Sequence, residues 1–162
     1  VNLPAFAVSA AVLWAAAVLQ HGLAARLSVF GASPDLLLAA MAPIALLSRP
    51  AGALWCGFFC GLAYGAVAGA NLAHYVVSRC LTAFGLSSAN LLGIEFSVLA
   101  AGVLTALATI CAQLLLLFLA PPASIGAFLT ATIGSAMYNG VLAMPLYALL
   151  RRLFRPKSGL GA

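Results

Sequence analysis

Charge is what this sequence has least of. In 162 residues there are two acids, Asp35 and Glu95, and seven cations, Arg26, Arg49, Arg79, Arg151, Arg152, Arg155 and Lys157. That scarcity limits the chemistry. The two acids are expected near opposite membrane faces, about 30 Å apart. At that distance they cannot act as an acid–base pair. No acid is placed mid-span, where ion pumps keep theirs. The HExxH pattern of zinc proteases is absent. No serine has a GxSxG setting, because Gly134-Ser135-Ala136 lacks the flanking pattern. His74 and Ser78 read as parts of one hydrogen-bonding face rather than as a catalytic dyad. Of the four cysteines, Cys56 and Cys60 share a helical face, but no second Cys or His pair lies near in sequence to complete a metal site. Cys56, Cys60, Cys80 and Cys111 therefore read as small packing residues. The expectation is a non-enzyme with no cofactor and no metal. The net charge of +5 does not point to nucleic acid. Four of the cations fall in the last twelve residues, where they read as a cytoplasmic anchor touching lipid headgroups.

What the sequence has in abundance is apolar surface. It is 65% hydrophobic with a mean hydropathy of +1.19, more than a soluble domain of this size can hide. The pattern predicts an all-α membrane protein, a single six-helix transmembrane domain over residues 1–150 followed by a basic cytoplasmic tail, 151–162. The helices are expected at about 4–24, 34–48, 51–67, 70–84, 92–119 and 125–150. The first helix lacks a basic leading region and outruns a typical signal-peptide core, so it reads as a span. Charge sets the topology. With six spans both termini are cytoplasmic, Arg49, Arg79 and the tail cations face the cytoplasm, and only Arg26 falls outside. Five spans, with helix 2 re-entrant or helices 3 and 4 merged, is the alternative.

Two rows of small residues stand out. Gly57, Gly61, Gly65 and Gly69 recur every four residues, each about 40° further round the helix than the last. In water each glycine costs a helix up to about 1 kcal/mol. In lipid the backbone has no other partner for its hydrogen bonds, so the helix persists. The row then becomes a groove for another helix, either within this chain or from a partner. Ala7, Ala11 and Ala15 make a second such seam on helix 1.

Polar residues mark other positions. Gln20 and His21 close helix 1 near an interface. In Phe30-Gly31-Ala32-Ser33-Pro34-Asp35, Ser33 suits a cap, Pro34 the first helical position and Asp35 the first turn, where the helix dipole favours an anion. Pro43 and Pro145 are expected to kink helices 2 and 6. On helix 4, Asn71, Tyr75, Ser78 and Thr82 share a face that must point into the protein, with His74 beside them. Arg79 is placed roughly 7 Å from the end of that helix, close enough to snorkel and to pair with Glu95. Residues 85–90 read as a loop. Thr105, Thr109 and Gln113 form one further polar row; Thr132, Ser135 and Asn139 form another.

The order of several of these motifs resembles the rod-shape-determining membrane protein family MreD. The resemblance rests on Gln20, then Ser33-Pro34-Asp35-Leu36-Leu37-Leu38, Arg49 before Gly52, Gly57-Phe58-Phe59-Cys60-Gly61-Leu62, Tyr138-Asn139-Gly140-Val141-Leu142, Pro145, and Leu149-Leu150-Arg151-Arg152-Leu153. It spans about residues 10–155. It implies a non-catalytic scaffold of the bacterial cell-elongation machinery in the inner membrane. The partners it implies are an MreC-like bitopic protein and, through it, an MreB-like filament, a RodA-like glycosyltransferase and a class B penicillin-binding transpeptidase. It also implies a fold similar to the substrate-binding S components of energy-coupling-factor transporters. The family residues carried over are Gln20, Pro34, Asp35, Arg49, Gly57, Gly61, Asn139 and Arg151. One departure stands out: the family's acid four residues after the second glycine is replaced here by Gly65, and the glycine-rich segment after it is shortened. The alternative function is an S component for a vitamin, suggested by the alanine seam and the polar face of helix 4.

Overall fold

The computed structural model describes residues 3–23, 26–28, 32–69, 71–90 and 96–154. Six α-helices occupy them: α1 (Leu3–Gly22), α2 (Leu36–Leu46), α3 (Pro50–Ala68), α4 (Leu72–Asn90), α5 (Val98–Leu119) and α6 (Ile125–Phe154). Among the described residues the chain is all α. Three of the helices, α3, α5 and α6, are long and apolar enough to cross a membrane.

The bundle is built around its shortest helix. α2 has 11 residues, and Leu37 to Leu46 are all buried. All five other helices pack against it. Its composition explains this position. Leu36-Leu37-Leu38-Ala39-Ala40-Met41-Ala42 has no polar side to turn outward, so it is stable only when surrounded. The helix continues through Pro43 and ends at Leu47, whose amide reaches the carbonyls of Pro43 and Ile44.

α3 and α4 form an antiparallel hairpin seated on the glycine row. A Cβ on Gly57 would lie 2.6 Å from the Arg79 carbonyl oxygen, one on Gly61 2.5 Å from the Val76 Cα, and one on Gly65 2.8 Å from the Leu72 Cα. As the α3 number rises the α4 number falls. Helix backbone therefore meets helix backbone along the row, which any side chain would prevent. Gly69 differs from the other three. It ends α3 at φ 68°, in the left-handed region, and a Cβ there would meet nothing within 4 Å. The groove is thus filled within the chain. Its last expected member is instead the stop of the helix.

The alanine row lies the other way. Ala7, Ala11 and Ala15 are exposed on α1, while Val8, Val12, Leu13, Ala16 and Ala17 pack on the core. Trp14, 72% exposed, shares the outer side.

Three helix boundaries depart from expectation, and the first matters for the site. The expected loop at 85–90 is helix: α4 continues to Asn90. Leu86 is buried, and the Ser87 hydroxyl donates to the Ser48 carbonyl at 2.7 Å, so tertiary contacts override the turn-like composition. α5 begins at Val98, capped by the Ser97 side chain on the Ala100 amide, rather than near Leu92. The last helix also runs past the expected boundary at residue 150. Arg151 and Arg152 fall in the last turn of α6, where cations complement the helix dipole.

Candidate site at the start of the buried helix

A helix that begins inside a protein leaves its first amides without partners and without water to supply them. In α2 side chains from distant parts of the chain supply those partners. The Asp35 amide donates to Asn139 Oδ1 at 3.0 Å. The Leu36 amide donates to Gln20 Oε1 at 2.6 Å. The Leu38 amide donates to Asp35 Oδ1 at 2.9 Å, which makes Asp35 the cap rather than Ser33. The carbonyls before the helix are met as well. Gln20 Nε2 reaches the Pro34 oxygen at 3.4 Å, and the Ser135 hydroxyl donates to the Ser33 oxygen at 2.5 Å. Asn139 is itself held by Nδ2 donating to Thr109 Oγ1 at 3.1 Å.

Asp35 carries a second role. Its Oδ2 takes the ion pair and hydrogen bond from Arg79 NH2. Arg79 is fully buried and Asp35 nearly so. The guanidinium carbon lies 5.3 Å from the centre of the Tyr64 ring, within cation–π range, and Tyr64 in turn packs on Tyr75 at 4.8 Å between ring centres. The expectation that Arg79 snorkels to an interface is overturned. Because α4 runs to Asn90, Arg79 sits eleven residues from its end, about 16 Å of helix. That depth places it at the start of α2. The expected partner, Glu95, lies outside the described residues; Asp35 is the partner found. The placement of Asp35 and Arg79 at opposite faces is corrected with it. Burying two charges is costly, and the arrangement is tolerable because they neutralise each other and Asp35 is further bonded by the Leu38 amide.

Of the residues the sequence singled out by resemblance, Gln20, Pro34, Asp35 and Asn139 meet here, although the first and last are 119 positions apart. Gly57 lies just behind, its Cα against the backbone of Arg79. Arg49 does not join them: it is the exposed residue before α3 and caps nothing with its side chain. Nor does Arg151, whose NH1 contacts the Phe96 carbonyl at 3.4 Å beside the Tyr147 hydroxyl at 3.2 Å.

Residues that drew less notice complete the site. Thr105 and Thr109 are buried and turn their hydroxyls back to carbonyls one turn earlier, leaving an Oγ1 lone pair on Thr109 for Asn139. Ser78 donates to the Ala112 carbonyl at 2.7 Å and ties α4 to α5. Their four-residue spacing was the available signal; which helix each row would face was not in it. Two adjoining cavities border this cluster. The inner one, about 140 Å³, is lined by Ser33, Asp35, Tyr64, Thr132 and Ser135. The outer one, about 480 Å³, reaches the α3–α4 and α5–α6 turns and is lined by Asn71, His74 and Tyr75 among others. Gln113 and Phe128 belong to both. Among the described residues no group of three His, Cys, Asp or Glu side chains is arranged to hold a metal ion.

No family model matches the chain, and no curated protein or solved structure matches it.

Proposed function

We propose that this chain is a non-catalytic scaffold of the bacterial cell-elongation machinery, a six-span protein of the inner membrane with both termini cytoplasmic. In this reading it binds an MreC-like bitopic partner and through it positions an MreB-like filament, a RodA-like glycosyltransferase and a class B penicillin-binding transpeptidase. The observation that carries the reading is the convergence of Gln20, Pro34, Asp35 and Asn139 on the start of α2. These residues were picked out as one ordered pattern, and they have one physical job. They let a helix begin inside the bundle, with every contact directed to backbone or to a neighbouring side chain. That is the use of polar groups expected of a rigid frame. The test is purification of the tagged protein from a rod-shaped bacterium carrying it together with an adjacent MreC-like reading frame. Retention of that coiled-coil partner, and loss of rod shape on deletion, is the expected result. Absence of the partner together with unchanged cell shape would sink the reading.

A second reading is the S component of an energy-coupling-factor vitamin transporter, with the six-helix fold of that class. It is favoured by the exposed alanine row on α1, open for a coupling protein, and by the cavities beside α2. Loss of uptake of one vitamin in a deletion strain, with cell shape intact, would select it.

A further inference from the structure

The site leaves polar atoms unsatisfied. Arg79 is fully exhausted of solvent contact, yet its Nε and NH1 have no hydrogen-bond partner; only NH2 is used. His74 Nδ1 is buried without a partner as well. Leaving a buried donor unmet is unfavourable, the more so on a charged group. The rest of this site is carefully paired, down to both ends of the Gln20 carboxamide. Of these residues His74 lines the outer cavity; Arg79 lines neither, and touches the inner one only through its contacts with Asp35 and Tyr64, which do line it.

We infer that these two cavities, which share Gln113 and Phe128 in their linings, form a binding site for a small, net-neutral molecule or headgroup that presents oxygen acceptors. The charge state follows from Asp35 and Arg79, which already cancel. Asp35 is the one Asp, Glu, Lys or Arg among the described residues lining either cavity, and its charge is met by Arg79. A ligand with net charge would have to be desolvated against a balanced pair. The acceptor character follows from the N–H and O–H donors around the outer space: the carboxamides of Asn71 and Gln113, the hydroxyl of Tyr75 and, in the tautomer protonated at Nδ1, His74. The walls are otherwise apolar, made by Leu116, Leu119, Pro121, Pro122 and Phe128. That combination of apolar walls and a few convergent polar groups is how small-molecule sites are built. The volume of about 480 Å³ is within the range of small-molecule pockets, about 300–1,000 Å³. Oxygens of a zwitterionic lipid headgroup and of a free carbonyl- or hydroxyl-bearing solute share this chemistry. The site stands whether or not the protein is a scaffold.

Native mass spectrometry of the purified chain tests this, first as isolated and then after delipidation and reconstitution with phosphatidylethanolamine vesicles. A bound mass is expected on the wild type. Gln113→Trp, which fills the junction of the two cavities, should lower its occupancy by about tenfold or more, a change of about 1.4 kcal/mol. Leu142→Trp, on the outer side of α6, should not. Ala131→Leu fills the inner branch more gently and keeps the test valid if Gln113→Trp does not fold. A mass restored by phosphatidylethanolamine identifies a headgroup; a non-lipid mass present only as isolated identifies a free solute. Water alone in the wild type, or a bound mass indifferent to both cavity variants, overturns the inference. Retention of the bitopic partner is measured on the same samples. A variant that loses the bound mass but keeps the partner separates this site from the scaffold role.

Discussion

The two rows of small residues, on α3 and on α1, have the same spacing and opposite fates. On α3, Gly57, Gly61 and Gly65 lie against the backbone of α4 so closely that no Cβ fits. On α1, Ala7, Ala11 and Ala15 face away from the bundle. The difference comes from two sources. Glycine permits a backbone-to-backbone approach that alanine does not. The short turn through Gly69 and Asn71 also delivers α4 directly onto α3, with both residues in the left-handed region. The glycine row does more than pack. By seating the Arg79 backbone on Gly57, it brings the guanidinium within reach of Asp35. A four-residue repeat of small side chains therefore marks a surface that something can approach, and the chain itself has used only one of the two.

Substitutions can break this contrast in graded steps. Gly57→Leu should have the largest effect, because it pushes α4 away and separates Arg79 from Asp35 together. Overpacking and a broken buried pair combine to about 5 kcal/mol or more, read as loss of folded, monodisperse protein in detergent. Arg79→Met leaves the groove intact but strands Asp35 in the interior. A loss of about 3–5 kcal/mol is expected, measured by thermal unfolding in nanodiscs. The double variant Asp35→Asn/Arg79→Met should recover much of it, and a double variant no better than Arg79→Met would show that the pair is not the coupled unit drawn here. Gly65→Leu should cost less, about 1–3 kcal/mol, since it meets Leu72, the first residue of α4, beside the turn and away from Arg79. Normal folding and partner retention in this variant would remove the upper half of the groove from the argument. Ala11→Leu should change stability by less than about 0.5 kcal/mol, because it is exposed among the described residues. If the alanine row is a docking face, the same variant loses a partner while remaining folded; if it keeps every partner, that face simply meets lipid.

The legible and illegible parts of the site divide along a physical line. Periodicity located the helices, and Thr105/Thr109/Gln113 and Thr132/Ser135/Asn139 were visible as polar rows, though not which helix each would face. The partner of Arg79 was not, because it depended on where α4 ends. Residues 85–90 have the composition of a loop, and local propensity cannot register that Ser87 finds the Ser48 carbonyl or that Leu86 is buried. Misplacing that end by six residues moves Arg79 from an interface to the interior. The cap at α2 was misassigned by two positions for a related reason. Ser33 is a good cap by type, but its carbonyl is engaged by Ser135, and Asp35 is the residue whose carboxylate can serve both the Leu38 amide and Arg79.

Sequence alone determined that this chain is helical and apolar, that α2 has no side fit for water, and that the glycines of α3 admit a helix at close range. These follow from composition and spacing, which act locally. Only the tertiary structure decided which helix fills that groove, that Arg79 answers Asp35, and that Gln20 and Asn139 supply the amides of a helix begun in the interior. The hydrogen bonds that Gln20, Arg79 and Asn139 make with Leu36 and Asp35 depend on pairings across 16 to 104 residues. In a chain with so few charges, each buried polar group must find its partner wherever the fold brings one.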